Sequence, residues 1–259
     1  MKKMTKVEIL DLLLDPLTQD EGFQKQMIKE NELNLMKDKL KLAGDPSNIR
    51  NKKLEPITDD QYNAFLTSVD KYYDKYINKF KDLEKIMQTV NKRSHSRKVA
   101  ALCKQLAIAN GCDDNMKKVL YMAGYIHDMG KLINDDEHDR VGAEMAYKIA
   151  KKLKIDDIYC ISLYSIIRVH SNKSKLYIKD YNEYQMILMQ SDLLSKIDIA
   201  EMILMYDKTK DIEWNRNFLY ERYFKKVVQR DFVFNTGFAK FLYNEKLAEY
   251  RKIIESMRY

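Results

Sequence analysis

The stretch DDNMKKVLYMAGYIHDMGK, Asp113 to Lys131, reads as an amphipathic helix that stops on a His-Asp pair. Val119, Leu120, Met122, Ala123 and Ile126 recur at helical spacing, which places them on one apolar stripe. Asp113 or Asp114 supplies an acceptor for the free N–H groups of the first turn. The HDMGK segment, residues 127–131, is therefore predicted at a helix end.

Similar signals repeat on both sides. Upstream, Thr58 and Gln61 form a capping-box pattern that predicts a helix from there to about Val90. Another helix is predicted from about Ser94 to Ala109, with Val99, Leu102, Cys103, Leu106 and Ala107 on one face and Asn110-Gly111 closing it. Downstream, helical spacing predicts helices over about 139–153, 157–170 and 181–206. No segment sustains strand alternation, and the chain holds only 7 glycines and 3 prolines, so punctuation is scarce and long helices are favoured. An all-α fold follows, with residues 58–259 almost wholly helical. Met1 to about Leu42 shows imperfect spacing consistent with two short helices, and the polar run bracketed by Gly44, Pro46 and Pro56 reads as a linker. The resulting organisation is an N-terminal helical extension and linker over 1–57, a main helical unit over 58–210, and a C-terminal helical extension over 211–259 packed on that unit.

Composition narrows the class. Glu8, Asp11 and Asp15 interrupt the apolar positions near the N-terminus, and no stretch approaches the roughly 18 apolar residues of a membrane span. Cys103, Cys112 and Cys160 show no CxxC spacing and are odd in number, which argues against a disulfide framework and for a reducing cytoplasm. The formal charge of +7 makes an anionic partner plausible, either nucleic acid or a small phosphate compound. Beyond Asn215, basic residues interleave with aromatics, a pattern that can mark single-strand nucleic-acid binding. The stronger reading is that Phe218, Phe224, Phe232, Phe234, Phe238 and Phe241 are helix faces packing on the main unit.

The chain has four histidines, His95, His127, His138 and His170, all within one stretch that ends shortly before Asp192. Each is predicted at or near a helix end, where a side chain can point into a shared cleft. Imidazole and carboxylate suit divalent first-row metals, and the absence of thiolate disfavours a closed structural zinc site. His127 and Asp128 are consecutive, so their side chains diverge by about 100° on a helix and can address one ion or two. A carboxylate between two ions can bridge them.

The order His95, then His127-Asp128 in GYIHDMGK, His138 in EHDRVGA, His170 in IIRVH and Asp192 in MQSDLLSK resembles the HD superfamily over about residues 90–206. The segment His138-x-x-x-Gly142-Ala143 is similar to that of several bacterial HD hydrolases, the symmetrical diadenosine tetraphosphate hydrolases among them. The resemblance implies an HD-domain helical bundle, here with additional N- and C-terminal helices, that hydrolyses phosphate esters or anhydrides in a small nucleotide through a metal-bound hydroxide. It implies one or two divalent transition-metal ions, with iron, manganese or cobalt favoured over magnesium, nickel or zinc. By the same resemblance His95, His127, Asp128 and Asp192 would hold the first ion, and His138 and His170 the second, with Asp128 as the bridge. Asp198 lies further along the same segment as an alternative to Asp192, which is preferred because it follows the apolar run Met186 to Met189. Lys131 would contact a phosphate oxygen. Arg140, Lys173 and Lys175, with Arg168, could widen the anion site.

Two other readings stay open: an HD-type nuclease acting on single-stranded nucleic acid, and a signalling protein that binds a nucleotide without turnover. The intact ligand set speaks against the second. No Gly-Tyr-Pro motif follows His170, which disfavours a cyclic-di-GMP phosphodiesterase of the HD-GYP kind.

Overall fold

A computed structural model describes residues 54–171, 181–197, 207–221, 225–234 and 237–256. The helices expected before residue 42, most of the linker, Asp198, Lys173, Lys175 and Phe224 lie outside them. Among the described residues every regular element is helical: α1 (Asp59–Lys79), α2 (Leu83–Ala109), α3 (Asp114–Ile126), a 3-10 turn (Met129–Leu132), α4 (His138–Lys152), α5 (Asp157–Arg168), α6 (Glu183–Ser195), α7 (Ile212–Leu219), the short α8 (Lys225–Val228), a second 3-10 turn (Asp231–Val233) and α9 (Gly237–Ser256). None of the described helices is long and apolar enough to cross a membrane.

Local chemistry sets most of the boundaries. Thr58 and Gln61 exchange the reciprocal bonds of a capping box at the start of α1, and Asp113 caps α3 by accepting from the Met116 N–H. Two boundaries depart from the sequence reading. The chain is extended at Phe80 and restarts at Asp82, whose carboxylate accepts from Glu84 N–H, so α1 stops at Lys79 and α2 begins at Leu83 rather than near Ser94. His95 consequently sits in the middle of a helix instead of near its end. The helix expected from Tyr181 starts at Glu183 and ends at Ser195, capped at Lys196.

The core is one contiguous cluster. Helix α2 packs on α1, α3 and α6, while α4 pairs with α5 and with the first 3-10 turn. Helices α5 and α6 are buried along most of their length, so they form the centre of the bundle. Gly124 lets α3 approach α2 closely, since a Cβ there would lie 2.7 Å from Ala100 Cα. Ile57, placed in the linker by sequence, is buried in the same core, with its N–H donating to Asn115 Oδ1 and its carbonyl accepting from Lys118 Nζ. Leu219, Val233, Phe234, Tyr243, Leu247 and Tyr250 join that core from the C-terminal helices. Phe218 and Phe232 are partly buried against it, but Phe238 and Phe241 are 40% and 56% exposed, contrary to the expectation that all these phenylalanines pack inward. The three cysteines are free and buried.

The cap of α6 matters because that helix carries Asp192. Asn182 accepts from the N–H groups of Tyr184 and Gln185, Gln185 Oε1 accepts from Asn182 N–H, and Gln185 Nε2 donates to Ser165 Oγ on α5. Asn182→Ala is expected to lower unfolding free energy by about 1–2 kcal/mol, measured by urea denaturation. An Asn182→Ala protein as stable as the parent would show that the cap contributes nothing.

Candidate metal centre

Four elements converge on one point. Helix α2 brings His95, the C-terminal end of α3 brings His127 and Asp128, the first turn of α4 brings His138, and α6 brings Asp192. His170 follows the end of α5. The close approach at Gly124 brings the His95 and His127 rings to 5.2 Å between centroids. A second close approach fixes His138: a Cβ at Gly130 would lie 2.0 Å from the His138 carbonyl oxygen, so only glycine lets the turn after Asp128 cross the start of α4.

Asp128 lies at the middle of the group. Its Oδ1 is 3.4 Å from His170 Nε2, 3.5 Å from His127 Nε2 and 3.8 Å from His138 Nε2, while its Oδ2 is 3.8 Å from His95 Nε2. Asp192 Oδ1 is 3.2 Å from His95 Nε2 and 3.9 Å from His127 Nε2. Two overlapping sets, His95-His127-Asp128 and Asp128-His138-His170, offer ligand atoms within 4.8 Å of one another. They share Asp128.

The imidazole orientations test whether this donor set suits a metal. The Nδ1 atoms of His127, His138 and His170 lie 2.9, 2.7 and 2.6 Å from the carbonyls of Gly124, Asp135 and Ile167. A carbonyl only accepts, so each Nδ1 carries the proton and each Nε2 keeps a lone pair. His95 Nδ1 is 3.3 Å from Ser195 Oγ, whose own proton goes to the Asp192 carbonyl, so Ser195 accepts from His95 as well. All four Nε2 atoms therefore face the two carboxylates as acceptors, the arrangement that metal-binding histidines require. His127 Nε2 is fully buried and has no hydrogen-bond partner, a costly state for a polar atom in a core. A cation bound there removes that cost. The residues fit a divalent ion held by nitrogen and oxygen.

The electrostatics agree. Burial pushes the His127 imidazolium pKa down to about 3, which keeps the ring neutral at physiological pH. Burial likewise lowers His138. For Asp128 burial acts to raise the pKa, but His127, His170 and Lys131 together outweigh it and hold the carboxyl well below its ordinary value. A neutral His127 and a neutral His138 beside an ionised carboxylate favour a bound cation.

The predicted anion-binding residues divide. Lys131 Nζ is 2.7 Å from Asp128 Oδ2 at the rim of the cluster. Arg140 is instead engaged along its own helix, with Nη2 and Nη1 each 2.7 Å from Glu137 and Glu144. The Arg168 guanidinium binds Asp139 at 2.8 Å. Sequence reading missed Lys196, whose Nζ is 3.0 Å from Asp192 Oδ2 and which mirrors Lys131 on the second carboxylate. Its position four residues after Asp192 was the available signal, because i,i+4 neighbours share a helix face.

Residues 93–197 match the family described as the HD domain, a window that contains all six clustered residues. A curated relative, the 3'3'-cGAMP-specific phosphodiesterase 1 of Vibrio cholerae, is 49% identical over 43 residues, which cover 17% of this chain and 10% of that protein. No solved structure matches the chain. HD domains bind divalent metals and hydrolyse phosphate bonds. What the comparisons show for this chain is therefore an HD-domain match over residues 93–197, the segment that carries the cluster.

Proposed function

We propose that this protein hydrolyses a phosphate ester or anhydride of a small nucleotide at a two-metal centre, with His95, His127, Asp128 and Asp192 holding one ion and Asp128, His138 and His170 the other. The observation that carries this reading is the placement of Asp128, with Oδ1 facing three imidazoles and Oδ2 facing the fourth. Divalent ions bound there would activate water and neutralise phosphoryl charge. The chain's own groups would supply the rest. Lys131 and Lys196 are partly exposed, so each ammonium can turn from its carboxylate toward a phosphoryl oxygen of the substrate. The carbonyls behind the histidines hold the rings in register, and Ser195 does so for His95.

The relative's name supports a phosphodiester between nucleotides as the bond cleaved, which moves a cyclic dinucleotide up among the candidates despite the missing Gly-Tyr-Pro motif. The catalytic unit we infer spans residues 58–210, wider than the matched segment, because Tyr73 of α1 meets Ser96 at 3.0 Å beside His95.

The decisive test combines metal analysis of the purified protein with product chromatography on mononucleotides, dinucleoside polyphosphates, cyclic dinucleotides and a single-stranded oligonucleotide, with added manganese or iron. Turnover of a small nucleotide that chelator abolishes and manganese restores is the expected result. Turnover of the oligonucleotide alone would replace this reading with a nuclease. His138→Ala should lose one bound ion while the other stays, and turnover should fall more than substrate affinity changes. Full metal content and full rate in that variant would leave a mononuclear mechanism.

A further inference from the structure

Asp139 and Arg168 flank the cluster in sequence. Asp139 follows His138, and Arg168 lies two residues before His170. Arg168 Nη1 donates to Asp139 Oδ2 at 2.8 Å, with the two side chains only 6% and 14% exposed. Ser171, which follows His170, donates its hydroxyl to the same oxygen at 2.9 Å. Asp139 Oδ1 accepts from the Arg140 N–H at 2.8 Å. One carboxylate therefore grips both sides of His170 and the first turn of α4.

The topology explains why such a grip is needed. Helices α4 and α5 are joined by the short segment after Lys152, and they pack along each other. His138 and His170 lie at the opposite end of that pair. With 15 residues in α4, the connection is about 22 Å away from them. A small change in the angle between the helices would separate the two rings, whose centroids are 5.3 Å apart. No covalent link near the histidines prevents it. A buried ion pair adds little stability relative to apolar residues of the same size, so its value here lies in fixing one geometry.

We propose that Asp139, Arg168 and Ser171 form a positioning knot that sets the spacing of His138 and His170 and so creates the second metal half-site. The proposal rests on the two-metal reading above. The knot acts through the two histidines.

Manganese alone is the probe, followed by isothermal titration and by metal analysis per chain, with circular dichroism as the check on folding. The variants are Asp139→Asn, Arg168→Lys and the double replacement Asp139→Leu with Arg168→Met, which leaves no lone buried charge. In each, affinity at the second half-site is expected to fall about 10- to 100-fold, the usual effect of removing a group that orients a ligand. Affinity at the first half-site should stay as in the parent protein. The double variant should melt like the parent and still show the loss. A folded double variant, or a folded Asp139→Asn should the double variant not fold, that binds both ions with parental affinity would overturn the knot. His138→Ala run alongside separates the two ideas: if it too keeps both ions, the two-metal reading has failed, whereas if it loses one while the knot variants lose none, only the knot has.

Discussion

Asp128→Ala is expected to lose both bound ions and to lower turnover at least about a thousandfold, equivalent to about 4 kcal/mol of transition-state stabilisation. The reason is its position, since its two oxygens face the Nε2 atoms of all four histidines, whereas Asp192 Oδ1 faces those of His95 and His127. Asp128 is also the carboxylate that, among the described residues, lies within 4 Å of the Nε2 atoms of His138 and His170. The fold should survive, because the partly exposed Lys131 can turn to water and the neutral His127 needs no counter-charge. Circular dichroism and metal analysis of the purified variant check both halves of the expectation. A variant with near-parental turnover would remove Asp128 from the site.

Gly130→Ala should be the most damaging change outside the ligands themselves. The added Cβ would lie 2.0 Å from the carbonyl oxygen, 2.7 Å from the carbonyl carbon and 2.8 Å from the Cα of His138. These are backbone atoms, so no rotamer change relieves the clash, and α4 must shift at the turn that holds His138. Overpacking of this kind costs about 1–3 kcal/mol, which for a chain of this size corresponds to a melting temperature lower by roughly 2–12 °C. Because the displaced backbone belongs to His138, the second ion should be lost before the first. Thermal denaturation with manganese titration measures both effects. An alanine variant with parental melting and two tightly bound ions would show that the crossing of the turn over α4 is looser than the structure has it.

Much of the bundle was legible because helix ends are decided by contacts a few residues apart. The Thr58–Gln61 box stands where the sequence placed it, and of the two caps the sequence offered, Asp113 and Asp114, the first is used. The break at Phe80 to Asp82 was missed for a local reason as well: Asp82 caps the next helix, but no glycine or proline announces it. All six proposed ligands were also readable, since histidine is rare in this chain and the order of the motif is local. The family match to residues 93–197 bears out that resemblance, while the ligand roles themselves rest on the geometry.

What the sequence could not assign is which charged side chains are spent on each other. Arg140 and Arg168 look alike as candidates for an anion site, yet one is taken up by Glu137 and Glu144 and the other by Asp139, 29 residues away. Lys196 looks like surface charge until Asp192 is placed inside the cluster. The orphaned Nε2 of His127, and the shared position of Asp128 among four rings, likewise exist only once α2, α3, α4 and the end of α5 have met. By itself the sequence determined most of the helices and the candidate donor types, because caps, apolar spacing and side-chain chemistry are properties of short segments. Only the tertiary structure decided the partners, because Coulomb attraction and hydrogen bonding depend on distances of a few ångströms that packing alone creates.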